Sequence, residues 1–253
     1  SLGDHFGVGH IFLAGEAPGL FYGYVTQGIV QKEDITENGI KYIKQDGSVG
    51  YYQTVNKTTP VAGDVKYVDR NGDGVVDDND RDIIGNPNPD FTYGFQTKVS
   101  WKSLSLSASF NGVQGRDILN VGNRYNNTPG TKSNNVTRKA FQNMWTDENP
   151  SNLYPKSTFV VQNMVMDRYV EDGSYLRCSD ITLSYVLPAK WTNKIGIKNT
   201  SVYASVKNAF VITDYSGYDP EVNSFAFDGL RPGVDMNSYP TPRSFVFGLN
   251  LTF

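Results

Sequence analysis

The chain has 253 residues, of which 19% are charged and 13% aromatic, with a formal net charge of −3. That balance leaves no basic field to attract nucleic acid. A mean hydropathy of −0.43, with no apolar stretch long enough for a transmembrane helix, excludes a helical membrane protein only, because a membrane β-barrel alternates its two faces and averages like a soluble chain.

The N-terminal residues Ser1-Leu2-Gly3-Asp4 show no initiator Met and no charged-then-apolar signal region, so the expectation is a fragment, a processed piece or one chain of a split barrel. His5 and His10 are the only histidines, and their spacing fits no zinc-ligand pair. Gly7-Val8-Gly9 is followed by Phe12 where a dinucleotide fingerprint needs a third glycine. A Tyr/Gly-rich strand is expected over about 19–31. The segments 32–90, 112–173 and 212–240 read as long connections, which in compact proteins are usually functional loops.

Inside the first of these, Val65-Lys66-Tyr67-Val68 looks like a strand and leads into Asp69-Arg70-Asn71-Gly72-Asp73-Gly74-Val75-Val76-Asp77-Asp78-Asn79-Asp80. This run matches the calcium-loop pattern. Calcium takes six to eight hard oxygen ligands, as a rough rule. Side chains of Asp69, Asn71 and Asp73, the carbonyl of Val75, Asp77 directly or through water, and Asp80 would supply them, with Gly74 allowing the sharp turn. Asp80 is one methylene shorter than the usual Glu. Gly85 and Pro87 forbid an exiting helix, so no EF-hand domain is expected. A bound Ca²⁺ would be structural, stiffening an external loop; the competing reading is an Asp/Asn/Gly turn cluster without an ion.

The clearest signal is alternation with period two. In 91–101, Phe91, Tyr93, Phe95, Val99 and Trp101 share a face with Thr97, opposite Thr92, Gly94, Gln96, Lys98 and Ser100. In 103–110, Leu104, Leu106, Ala108 and Phe110 alternate with four serines. After a short helix expected over Thr137–Trp145, the run 180–187 sets Ile181, Leu183, Tyr185 and Leu187 against Asp180, Thr182, Ser184 and Val186. Strands also cover about 200–211 and 244–253, the last with Phe245, Phe247, Leu249, Leu251 and Phe253 on one face. Cys178 reads as a small half-buried strand residue.

The second faces decide the class. A soluble sheet usually turns Lys and Glu to water, which guards its edges. Here they carry mostly Ser, Thr, Gln, Asn and Gly, which suits the wall of a water-filled lumen while the apolar face meets lipid. Enzyme signatures are missing: no P-loop, no G-x-S-x-G and no Cys/His pair. Asp147/Glu148 and Asp219/Glu221 read as carboxylate pairs of solvated loops rather than a glycosidase dyad. Aromatics of the long segments, such as Tyr51, Tyr52, Tyr125, Trp145, Tyr154, Tyr215, Tyr218 and Tyr239, read as girdle or loop-packing residues.

Several runs in order resemble the late segment of SusC/RagA-like TonB-dependent outer-membrane transporters. They are Glu16-Ala17-Pro18-Gly19-Leu20-Phe21-Tyr22-Gly23-Tyr24, Tyr67 through Gly74, Ile84-Gly85-Asn86-Pro87, Asp172-Gly173-Ser174-Tyr175-Leu176-Arg177, Lys207-Asn208-Ala209-Phe210, Gly217-Tyr218-Asp219-Pro220-Glu221, and Tyr239-Pro240-Thr241-Pro242-Arg243-Ser244. Cys178-Ser179 departs from the residues expected there. The resemblance implies an all-β fold, in which this chain supplies the C-terminal strands of a large antiparallel transmembrane β-barrel with long extracellular loops. It implies no enzymatic activity, and a bacterial outer-membrane importer of glycans or peptides.

Its implied partners are the remainder of the same barrel, meaning the plug and the N-terminal strands, and a SusD-like surface lipoprotein. The TonB complex would act through the absent N-terminal part, and an oligosaccharide or peptide would be the substrate. The ending Gly248-Leu249-Asn250-Leu251-Thr252-Phe253 resembles a barrel-assembly signal, carried by Gly248, Leu251 and Phe253. The alternative is a soluble calcium-stabilised β-domain of a cell-surface adhesin or glycan-binding module. An autonomous small barrel acting as enzyme or porin is the third.

Overall fold

The computed structural model describes residues 9–128, 135–157, 164–192, 197 and 199–252. The chain passes back and forth between two compact units, one formed by Ser1–Asn88, Asp117–Glu171 and Val222–Ser238, the other by Pro89–Arg116, Asp172–Glu221 and Tyr239–Phe253.

The second unit is a single antiparallel meander of five long strands, β1 (Phe91–Trp101), β2 (Leu104–Gln114), β3 (Tyr175–Val186), β4 (Asn199–Thr213) and β5 (Ser244–Thr252), adjacent in that order. They run 9 to 15 residues, enough for the roughly 9–11 residues a tilted strand needs to cross a bilayer. Long and short connections alternate. Lys102 and Ser103 alone join β1 to β2, with Lys102 at φ 53° in the left-handed region. Residues 187–198 join β3 to β4 at the same end, where Val186 N–H donates to Ser103 O at 2.9 Å and Leu187 N–H to Thr200 O at 2.9 Å. The two long connections, 115–174 and 214–243, leave from the other end.

Register turns the sequence alternation into rows across the sheet. Trp101, Leu104, Tyr185, Val202 and Leu249 form one row; Val99, Leu106, Leu183, Ala204 and Phe247 the next; Thr97, Ala108, Ile181, Val206 and Phe245 a third. This face is apolar and uncovered, with Trp101 68% and Phe247 80% exposed. A contiguous apolar surface of this extent marks a membrane or partner contact rather than a water-facing wall. The opposite rows are Ser100, Ser105, Ser184, Tyr203 and Gly248; Lys98, Ser107, Thr182, Ser205 and Val246; and Gln96, Ser109, Asp180, Lys207 and Ser244.

A bulge at Ser179, opposite Asn208 at φ 51°, keeps both sets of rows in phase; asparagine tolerates that left-handed backbone. Two glycines stand directly opposite tyrosines, Gly112 across from Tyr93 and Gly248 across from Tyr203. A Cβ at either glycine would sit within 2.3 Å of the ring, so the ring covers the backbone that the missing side chain leaves bare. Cys178 departs from the half-buried expectation. It is fully buried, between Phe110 and Phe210 in the register, and those rings meet edge to face at 6.3 Å.

The first unit overturns the reading of 32–90, 112–173 and 212–240 as plain loops. They contribute short strands, among them Gly39–Ile43, Val49–Tyr52, Val75–Val76, Asp117–Asn120 and Val234–Asp235, besides the expected strand at Val65–Tyr67. Their side chains build a core in which Phe21, Tyr24, Ile29, Tyr42, Tyr52, Tyr67, Val76 and Leu119 are buried. Tyrosine suits so small a core because its ring is buried while its hydroxyl finds a partner. Tyr42 donates to Asp69 O at 2.7 Å, and Tyr52 Oη accepts from Tyr67 N–H at 3.1 Å. The helix expected over Thr137–Trp145 is Arg138–Asn143, capped by the Thr137 hydroxyl.

Nitroxide labels test the two faces in the full-length protein in liposomes. Labels at Val99, Leu106 and Leu183 are expected to be quenched by oxygen and shielded from a water-soluble nickel complex, and labels at Ser107 and Ser184 to show the reverse. A single common pattern at all five sites contradicts the assignment of faces.

Candidate functional site

On the polar face of the sheet, register brings Asn111, Arg177 and Val211 into one row and Val113, Tyr175 and Thr213 into the next. The segment after β4 returns to these rows and is held there. Arg177 Nη2 donates to Asp219 Oδ1 at 2.5 Å, and its Nε lies 3.0 Å from Glu221 Oε2. Tyr175 Oη donates to Glu221 Oε1 at 2.7 Å and Asn111 Nδ2 to the same oxygen at 3.0 Å. Arg116 Nη2 donates to Pro220 O at 2.8 Å.

Asp219 is buried and takes further hydrogen bonds from the backbone N–H of Glu221 and of Thr241. Burial alone would raise its pKa. The hydrogen bonds from Thr241 and Glu221, with the charge of Arg177, outweigh that and hold it below its ordinary value. The pair Asp219/Glu221 therefore departs from the solvated-loop expectation: Asp219 is one half of a buried ion pair. Farther along the same face, Asp180 accepts from Thr182 Oγ1 and Ser205 Oγ, each at 2.8 Å, and pairs with Lys207 Nζ at 2.6 Å. Among the described residues of this wall none is arranged as a nucleophile with its base; it offers a hydrophilic surface.

The Asp-rich loop lies in the first unit. Asp69 and Asp80 are buried, while Asn71, Asp73 and Val75 are exposed and Asp77 is half-buried. Asp69 accepts from Gly72 N–H at 2.6 Å and Gly74 N–H at 2.8 Å, with both glycines at positive φ, 76° and 86°. Asp80 accepts from the N–H groups of Arg70 and Asp77, both at 2.8 Å. Burial pushes the Asp80 carboxyl above its usual range, against those hydrogen bonds. A 3₁₀ turn over Asp78–Asp80 gives way to the strand Arg81–Gly85, as the absence of an exiting helix requires. Among the described residues, no group of three or more His, Cys, Asp or Glu is gathered as a metal-ligand set.

Of the remaining expected residues, Gly248 and Leu251 lie on β5, Leu251 opposite Thr200, while Phe253 and His5 fall outside the described residues. His10 is buried, with Nε2 3.1 Å from Pro232 O.

No family profile matches the chain. Individual relatives do. It is 35% identical over 201 residues, 76% of its length, to TonB-dependent receptor P26 of Formosa agariphila. It is 33% identical over 248 residues, 96% of its length, to TonB-dependent receptor P3 of the same organism, and 34% identical over 74% of its length to TonB-dependent receptor SusC of Bacteroides thetaiotaomicron. The chain belongs to the SusC/RagA-type TonB-dependent receptors. Structures of the RagAB peptide importer in its open-open state and of the RagAB peptide transporter superpose with TM-scores of 0.63 and 0.64 at 25% identity, over 98% and 93% of the chain. The chain spans 17–23% of the length of these three relatives and 23–24% of those structures' chains. Membership places it in the bacterial outer membrane as barrel strands.

Sequence reasoning missed the Arg177 network. The signal was present: an arginine on the polar face of a strand otherwise lined by small neutral residues needs a carboxylate partner if it is covered.

Replacing Arg177 by Met is expected to leave Asp219 buried without its counter-charge, at a cost of about 3–5 kcal/mol. The double change with Asp219→Leu should cost clearly less than the two single changes together. Urea unfolding of the refolded full-length protein measures both; additive costs contradict the coupling. Because the Asp219 pKa is lowered on folding, its contribution is present above the ordinary carboxylate range and is lost as pH falls through the lowered folded-state value.

Proposed function

We propose that the chain is the C-terminal wall of a TonB-dependent importer, whose plug and earlier strands lie in the remainder of the same barrel. The carrying observation is the five-stranded sheet with one uncovered apolar face and one polar face. The reading is also supported by the two strands at its margins. β1 and β5 each have a single neighbour among the described residues. An open edge in lipid leaves backbone groups unpaired at several kcal/mol each, as a rough figure, so both edges require strands from the rest of the barrel.

In this reading the protein carries out no bond chemistry. Substrate, an oligosaccharide or a peptide, is held on the extracellular side beneath a SusD-like lipoprotein and released inward when TonB remodels the plug. The long connections form part of the extracellular surface on which the lipoprotein rests. The Arg177 network fixes the segment Gly217–Glu221 against the lumen wall. Gly248, Leu251 and Phe253 serve barrel assembly.

The Asp-rich loop takes one structural Ca²⁺, with Asp73 and Asp77 closing on the buried Asp69 and Asp80 and with Asn71 and the Val75 carbonyl completing the set. Calcium would there replace backbone N–H groups as the partner of the buried carboxylates.

Two experiments bear on these readings. In the full-length protein, Leu183→Arg on the apolar face should lose about 2–4 kcal/mol and cut the folded, heat-modifiable form in the outer membrane. Ser107→Arg on the polar face should leave it near wild type, and equal losses from the two contradict the membrane-wall reading. For the loop, metal analysis of the purified protein should find calcium lost in the Asp73→Ala/Asp77→Ala variant, with a lowered melting temperature. Unchanged metal content and melting temperature contradict calcium binding.

A further inference from the structure

Among the described residues, the short-turn end of the sheet carries charge of one sign. From Ile181 to Thr213 the sequence holds four lysines and no acid, and neither Phe91–Gln114 nor Ser244–Phe253 contains an Asp or Glu. Lys207 is committed to Asp180. Two others stand at this end. Lys102 occupies the β1–β2 turn, its Nζ 4.7 Å from the centroid of the Trp101 ring. Lys190 lies in the short helix Ala189–Thr192 beside the exposed Trp191. The Val186–Ser103 hydrogen bond ties the end of β3 to the β1–β2 turn. Exposed indoles and lysines together are what a lipid headgroup region selects.

Directly inward from this end, the apolar face is notched. Ala204 is flanked in register by Leu183 and Phe247, and the row toward the turn sets Tyr185 and Leu249 on either side of Val202. The small side chain at Ala204 between larger neighbours leaves an open groove of about 540 Å³, which Leu104 also lines. Its wall is almost wholly hydrocarbon, so it is filled by an apolar chain rather than by water.

We propose that this groove and the lysines of the short-turn end hold an anionic phospholipid, with one acyl chain over Ala204 and the phosphate at Lys102 and Lys190. The assignment rests on the reading of this face as the membrane-facing wall. Short turns of bacterial barrels face the periplasm, so the lipid belongs to the periplasmic leaflet. Clustered lysines at a membrane surface favour anionic over zwitterionic headgroups.

Native mass spectrometry of the full-length protein in neutral detergent tests the site, using phosphatidylglycerol and phosphatidylcholine with identical chains at equal concentration. The wild type should retain phosphatidylglycerol over phosphatidylcholine by roughly tenfold. The Lys102→Asn/Lys190→Gln variant, in which asparagine suits the left-handed turn position, should bring the ratio near one. Ala204→Phe, which fills the groove, should lower retention of both lipids. Equal retention of the two lipids by the wild type, or wild-type behaviour of both variants, overturns the proposal. A nitroxide at Val99, on the same face but outside the groove, separates the two layers of the argument. If it is accessible to oxygen while the lipid ratio is one, only the lipid site fails; if it is inaccessible, the membrane-wall reading fails with it.

Discussion

A β-sheet has two faces and two edges, and each must be satisfied by something. In this chain the constraint that organises the rest is an apolar face with nothing packed on it. Water cannot be its solvent at that extent. Lipid can, and lipid then dictates the other features: strands long enough to cross, a hydrophilic opposite face, and no unpaired edge. The Tyr–Gly pairs across β1–β2 and β4–β5, and the bulge at Ser179, are local devices that hold the register on which the separation of faces depends.

The inner face meets a different demand. A wall exposed to a polar lumen must be hydrophilic without inviting nonspecific binding, and here most of its polar groups are satisfied among themselves. Asp180 is shared by Thr182, Ser205 and Lys207, and Arg177 by Asp219 and Glu221. The second of these networks also does mechanical work, since it holds the segment following β4 to the wall. A buried ion pair is a modest source of stability; its stronger effect is to specify one position for that segment.

How much of this was legible in the sequence depended on element length. The alternation of Phe91–Trp101 and Leu104–Phe110 extends over enough residues to show a period; it gives the first strand to the residue and the second without its last four, Asn111–Gln114. The strands of the first unit, such as Val75–Val76 and Asp117–Asn120, are two to four residues long. No periodic pattern can emerge from so short a run, and the segments therefore read as loops although they bury Tyr42, Tyr52 and Tyr67 in a core of their own. The Asp219–Arg177 pair was hidden for another reason: its partners are 42 positions apart, and only strand register brings them together. The Asp-rich loop was fully visible as a motif, with Gly72 and Gly74 at the positive φ values its turn requires.

The central claim is that β1 and β5 are interior strands of a closed barrel wall rather than edges in water. Hydrogen–deuterium exchange of the full-length protein in liposomes tests it most directly, through the amides of β1 and β5 that point away from β2 and β4. The account predicts that they exchange as slowly as the amides of β3, which is paired on both sides. Rapid exchange confined to the outward-pointing amides of either strand would show a free edge and contradict it.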